Sequence, residues 1–366
     1  MRMPKAVAGV LLAALIASGC ASDPEIDDDA AAAFVDSTST TSTTSTTSTS
    51  TTLPTESEPT PTTDTTEAPL NQLDVAARVL RTSTGIVAPI LGAFDEGFLI
   101  RTPCQNVAAV PDGELFESVQ VVIDAGHGGS ETGAVSPDDV TEKAVNLETA
   151  LLAEELLQEA GVEVLLTRYN DIRMPLVTRA AIADSLEADL LISVHHQASG
   201  PFPTSDEPGV EVYYQQLSDE SRRFAGLLVE ETRREFSAFD ITWFAQQDAG
   251  AVDRPNANTG ADFYGMLRRP ETTAVLAEMA YMGNEEAVAL MRSGELQAAE
   301  ARALTQAVLR FLNTDDPGSG FVDSDVVLTS AGPGGGLSGC DDPDLGETLE
   351  LTVELQALIA ELESEG

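Results

Sequence analysis

Val121-Val122-Ile123-Asp124-Ala125-Gly126-His127-Gly128-Gly129 reads as a β-strand that runs into a glycine-rich turn carrying a histidine. A short apolar run bounded by turn residues is the pattern of a strand covered on both faces. The pattern recurs at Leu190-Leu191-Ile192-Ser193-Val194 before His195, and at Ala274-Val275-Leu276-Ala277 before Glu278. Around these runs the chain alternates strands expected at 119 to 124, 162 to 167, 189 to 194, 209 to 214 and 273 to 278 with helices expected at 142 to 159, 175 to 187, 218 to 235 and 284 to 312. Such an order implies an α/β fold: a mainly parallel twisted sheet with helices on both faces. Leu151, Leu152, Leu156 and Leu157 recur at helical spacing and read as core.

Ligands of open α/β sheets bind outside the carboxyl ends of the parallel strands. His127, His195 and Glu278 would therefore converge there, joined by Glu142 from the first turn of the helix after the first run. Two imidazoles and a carboxylate suit a catalytic Zn²⁺ with one open coordination position, and a second carboxylate can then carry a proton. The chain has only 3 histidines, and all lie in this set or beside it. The loop from Gly126 to Gly133 lacks the lysine of a P-loop and the spacing of a dinucleotide fingerprint.

These blocks resemble the zinc-dependent N-acetylmuramoyl-L-alanine amidases of the type 3 cell-wall hydrolase class. The resemblance is carried by residues 121 to 129 with Gly133-Ala134, then Thr141-Glu142-Lys143-Ala144-Val145-Asn146-Leu147, Leu166-Thr167-Arg168, Ile192-Ser193-Val194-His195, and Val275-Leu276-Ala277-Glu278-Met279-Ala280-Tyr281-Met282-Gly283-Asn284. It covers roughly residues 119 to 312 and implies that His127, Glu142 and His195 bind Zn²⁺ and that Glu278 is the catalytic carboxylate. The implied substrate is peptidoglycan, cleaved at the amide joining N-acetylmuramic acid to L-alanine. His196, Gln197 and Ala280 depart from the family pattern without removing a ligand. Adjacent side chains of a strand point to opposite faces, so one of His195 and His196 faces the site, and His195 takes the motif position.

Some members of this family carry a long helix that blocks the site until an activator arrives. Between His195 and Glu278 this sequence shows one strand, one helix and a loop from Phe239 to Asp262, so constitutive activity is expected, with the Trp243 loop as an alternative lid. Arg268 or Arg269 is a candidate for holding substrate. Two rival functions remain open: another zinc peptidase acting on stem peptides, and a non-catalytic wall-binding lipoprotein.

The rest of the chain addresses the protein. Residues 1–20 read as an export signal, with Arg2 and Lys5 before an apolar stretch too short to span a bilayer. Ala17-Ser18-Gly19-Cys20 resembles a lipobox, which would place a lipid on Cys20 and the protein in the cell envelope facing the wall; plain secretion is the alternative. Residues 21–69 form a Ser/Thr/Pro-rich tether with little to bury. Residues 70–118 hold short alternating runs and read as a small β-rich segment ahead of the catalytic domain, 119–313. Residues 314–366 combine a Gly/Pro/Asp-rich linker with a helix whose Leu351, Leu355, Leu358 and Leu362 form one stripe, expected to dock on the catalytic domain.

With 61 acidic against 19 basic residues the net charge is -42. Such a surface repels nucleic acid and anionic lipid heads, so membrane contact is expected only through Cys20, and no obligate protein partner is expected. With Cys20 set aside, Cys104 and Cys340 remain as a pair in an oxidising compartment, where a disulfide is expected.

Overall fold

A computed structural model describes residues 72–73, 75–197, 209–244, 249–329 and 335–365. The export signal, Cys20 and the tether lie outside the described residues. Six short strands come first: β1 (Gln72–Leu73), β2 (Val79–Arg81), β3 (Val87–Phe94), β4 (Gly97–Arg101), β5 (Val107–Val110) and β6 (Glu114–Phe116). They form one antiparallel sheet in the order β5-β4-β3-β2-β6, with β1 on β3. The β2–β3 hairpin closes because Gly85 takes φ 81° and donates to the Thr82 carbonyl at 2.9 Å.

The second sheet contains β7 (Val121–Ala125), β8 (Val164–Leu166), β9 (Leu190–Gln197), β10 (Glu211–Tyr214), β11 (Gly250–Asp253) and β12 (Ala274–Tyr281) in the order β11-β10-β12-β9-β7-β8. Every neighbouring pair is parallel except β10 with β12. The helices are α1 (Glu142–Glu159), α2 (Leu176–Ser185), α3 (Asp219–Phe236), α4 (Gly265–Arg268), α5 (Glu285–Ser293), α6 (Glu295–Asn313) and α7 (Val353–Glu365).

The two faces of this sheet pack differently. Val121 and Ile123 of β7 turn toward a core shared with α1, α3, α5 and α6, where Leu157, Phe224 and Leu304 are buried. Val122, Leu191 and Leu276 turn the other way, onto α2, α4 and Val79 and Val87 of the first sheet. The strands are thus buried on both sides, and each fully buried aliphatic side chain contributes roughly 1.5–3 kcal/mol. The N-terminal β-segment completes the second core rather than standing apart.

Several expectations need correction. The loop between Phe239 and Asp262 contains a strand, β11, which its small residues Gly250 and Ala251 gave little reason to expect. The helices expected over 284 to 312 are, by contrast, present as two, divided at Gly294 with φ 76°. Leu151 is 39% exposed rather than core, because α1 lies on the sheet with Val145, Thr149 and Ala153 inward. The leucine stripe of α7 docks on the N-terminal sheet, against Phe94, Leu99 and Ala109, and not on the catalytic domain. Trp243 is 4% exposed, packed against Phe236 and Phe239 as part of the core.

Cys104 and Cys340 are bonded, with Cα atoms 5.6 Å apart across 236 residues of chain. Asp342 braces the link by accepting from Thr102 Oγ1, the Cys104 amide and Asn106 Nδ2, each at 2.8 Å. Among the described residues no helix is long and apolar enough to cross a membrane.

Candidate active site

The site begins where β7 ends. The Gly126 amide still donates to the Val194 carbonyl at 3.0 Å, and the chain then turns sharply, with His127 at φ 60°. Such a backbone is costly for a side-chain-bearing residue and needs outside support. Two buried guanidiniums supply it. Arg179 donates to the carbonyls of Ala125 at 2.8 Å and His127 at 2.7 Å, and Arg168 to those of Ala125 at 2.7 Å and Gly126 at 2.9 Å. Their charge is balanced in part by Asp124, fully buried 2.6 Å from Arg179 Nη1 and accepting from Thr167 and Ser193 at 2.7 Å each. Burial works against the Asp124 carboxylate, but Arg179 together with the Thr167 and Ser193 hydroxyls outweighs it and holds the carboxyl below its ordinary value. Burial, with Arg179 nearby, pushes Arg168 down to about 10.

Two glycines make room for the functional side chains. A Cβ on Gly126 would stand 2.1 Å from His195 Cε1, and one on Gly133 would stand 2.3 Å from Glu142 Oε2. Glu142 opens α1, where the exposed helix amides favour a negative charge. Its Oε2 accepts from the Ala134 amide at 2.7 Å, while Oε1 lies 3.2 Å from His127 Nε2 and 2.9 Å from His195 Nδ1. The imidazoles meet edge to face with centroids 4.9 Å apart. Burial opposes the charge on Glu142, yet the His127 and His195 imidazoles hold its carboxyl well below the usual carboxylate range. His195 is drawn below its ordinary value by burial.

His127, Glu142 and His195 thus bring one donor atom each within 4.8 Å of the others, the one such cluster of metal-ligating side chains among the described residues. This donor set fits zinc: a tetrahedral ion with bonds of ~2.0–2.2 Å holds its ligand atoms roughly 3.3–3.6 Å apart, near the 3.2 and 2.9 Å that separate Glu142 from the two imidazoles. His127 is the most accessible of the three, at 14% against 2% for Glu142 and 6% for His195. The opening therefore lies on its side.

Glu278 stands outside this trio but beside it. In the parallel β9–β12 ladder it is the register partner of His195, and on its other side it pairs with Glu211 of β10. Alternation behaves as the sequence implies: His195 turns to the site and His196 to the opposite face, fully buried between α1 and α6. Glu278 is 3% exposed. Burial, and after it the Glu278 charge, drives the Tyr264 hydroxyl upward, so this neighbour stays protonated. Arg268 and Arg269 sit at α4, just before β12 begins, at the end of the strand remote from Glu278.

Sequence reasoning missed Glu211. Its carboxylate accepts from the hydroxyls of Tyr213 and Tyr281, the latter at 2.6 Å, and lies 3.5 Å from Arg254 Nη2. The signal was an acid inside the apolar run Val210-Glu211-Val212-Tyr213-Tyr214. It also missed the C-terminal segment at this edge, where the Gly335 amide donates to Glu131 Oε1 at 2.9 Å and Arg173 donates to the carbonyls of Gly336 at 2.7 Å and Ser338 at 2.9 Å.

Comparison with known proteins shows what the chain is similar to. The chain is 25% identical over 235 residues to the N-acetylmuramoyl-L-alanine amidase AmiC of Neisseria meningitidis, covering 53% of this chain and 53% of that protein. The chain thus spans about half the length of that relative. It is 28% identical over 225 residues to the N-acetylmuramoyl-L-alanine amidase AmiA of Escherichia coli, covering 54% of this chain and 77% of that one. The N-acetylmuramoyl-L-alanine amidase crystal structure from Clostridium difficile 630 superposes with a TM-score of 0.46 at 25% identity, over 54% of this chain and 98% of the other. Residues 121–310, the span from β7 into the last turn of α6 that holds His127, Glu142, His195 and Glu278, match the sequence model of the N-acetylmuramoyl-L-alanine amidases, and the chain belongs to that family.

Proposed function

We propose that this protein hydrolyses the amide between the lactyl group of N-acetylmuramic acid and the L-alanine of the stem peptide, with His127, Glu142 and His195 holding a Zn²⁺ and Glu278 moving the proton. The observation that carries this reading is the convergence of two imidazoles on one buried carboxylate, with a second carboxylate at the adjacent register position. Zinc bound there supplies Lewis acidity, which lowers the pKa of a coordinated water from ~15.7 to roughly 7 and polarises a carbonyl. Glu142 would hold the ion as a carboxylate, and the imidazoles beside it favour its charge. Glu278 accepts a proton from the attacking water as the new C–O bond forms, then delivers it to the alanine nitrogen as the C–N bond breaks. The products are the free lactyl carboxylate and a free L-alanine amine.

Incubating zinc-loaded protein with purified peptidoglycan is expected to expose new L-alanine amino termini without new reducing sugar ends, and a chelator is expected to stop it. Release of only a terminal amino acid from the stem peptide would instead identify a stem-peptide peptidase.

The reading places the enzyme at the cell wall, outside the cytoplasm, in keeping with its family. We further propose residues 119–313 as the catalytic domain, and lipid attachment at Cys20 with residues 21–69 as the tether that lets that domain reach its substrate. Cys20→Ser is then expected to move the protein from the membrane fraction to the soluble exported fraction. A wild-type protein already soluble after export would refute the anchor.

A further inference from the structure

Behind the metal-binding trio, on the opposite face of β9, lies a buried polar chain that the proposed hydrolysis does not use. His196 of β9, Asn146 and Thr149 of α1 and Glu300 of α6 are each 0% exposed. His196 Nδ1 lies 2.7 Å from Asn146 Oδ1, and Nε2 lies 2.9 Å from Glu300 Oε1. The other Glu300 oxygen accepts from the Thr149 hydroxyl at 2.7 Å. Asn146 in turn donates through Nδ2 to the Gly126 carbonyl at 3.1 Å and approaches Glu142 Oε1 at 3.4 Å.

The direction of each hydrogen bond follows from the ends of this chain. The Gly126 carbonyl and the Glu142 carboxylate only accept, so Asn146 presents its NH₂ to them and its oxygen to His196. His196 Nδ1 therefore carries a hydrogen. At Nε2 a second hydrogen lies between the ring and the Glu300 carboxyl, since two acceptors do not approach to 2.9 Å without one. Turning the Asn146 amide over would set its oxygen against the Gly126 carbonyl, and a ring that Glu300 holds with Nδ1 protonated reinforces the orientation the carbonyl demands. His196 reaches the same carboxylate a second way, through its backbone amide, which donates to Glu142 Oε1 at 3.2 Å.

We infer that Glu300 and His196 are positioning residues for the metal site. By locking the Asn146 amide they hold the Glu142 carboxylate and the Gly126 carbonyl, at the root of the turn that carries His127, in the geometry that receives the ion. Partners of this kind behind metal ligands typically contribute 10–100-fold in metal affinity. The inference rests on the metal-binding reading above.

The test is the zinc dissociation constant of the full chain, measured by chelator competition well below the unfolding temperature. Glu300→Leu and His196→Ala are expected to bind zinc ~10–100-fold more weakly. Glu300→Gln is expected to keep an affinity close to that of the unaltered protein, because its NH₂ can donate to Nε2 of a neutral ring and its oxygen can accept from Thr149. If the effect passes through Asn146, Glu300→Leu added to Asn146→Ala weakens binding no further than Asn146→Ala alone. In the unaltered protein, the imidazole N–H proton resonance of His196 is expected to move on zinc addition, a readout that needs no variant. Variants that melt earlier but bind zinc normally, or a His196 resonance that zinc leaves in place, would overturn the inference. A wild-type chain that binds no zinc would remove the metal reading itself, and this inference with it.

Discussion

Glu278→Gln is expected to keep its zinc and lose turnover by ~10²–10⁴, the usual scale of a missing general base. In barrier height this is about 2.7–5.5 kcal/mol. The substitution keeps the side chain's size in a position only 3% exposed, so the sheet around β12 has no reason to move. It also leaves His127, Glu142 and His195 in place, because the converging trio does not include Glu278. An amide nitrogen cannot take a proton from the attacking water, nor return one to the departing amine. Metal analysis beside single-turnover rates on a soluble muropeptide separates the two effects. A Glu278→Gln protein with normal turnover would end the assignment of Glu278 as the proton carrier.

Removing a ligand should give the opposite signature, in which zinc and activity fall together. His195→Ala deletes one donor atom and leaves Glu142 without the imidazole now 2.9 Å from its Oε1. The loss in zinc affinity should exceed the ~10–100-fold typical of outer partners, since a first ligand is gone. Glu142→Ala should be at least as severe, because Oε1 is the atom both imidazoles approach. Equilibrium dialysis followed by metal analysis checks both. Full zinc occupancy in His195→Ala would show that the ion is held elsewhere.

The position of the site was legible because strand ends are legible. An apolar run bounded by glycine or polar residues marks a strand covered on both faces, and the carboxyl ends of such strands lie together in an open sheet. His127, His195 and Glu278 could therefore be placed on one edge before any distance was known. Alternation sends neighbours to opposite faces, so only one of His195 and His196 could enter the site, and the choice of His195 came from the family resemblance. Glu142 required only that α1 begin where it does.

What the sequence determined by itself was periodic or local: the βα order, the strand ends, the opposite faces of the two adjacent histidines and the two cysteines left to pair. What only the tertiary structure decided were meetings between residues far apart in the chain. Asp124 with Arg179, His196 with Glu300 and Glu211 with Tyr281 are separated by 55, 104 and 70 positions. The same holds for the docking of α7 on the N-terminal sheet rather than the catalytic domain, and for the second core that the N-terminal strands complete. A stripe of leucines specifies that a face will be buried but not against what, since burial of apolar area has no direction. A buried polar residue likewise announces that it needs a partner, and only the packed fold brings that partner within hydrogen-bonding distance.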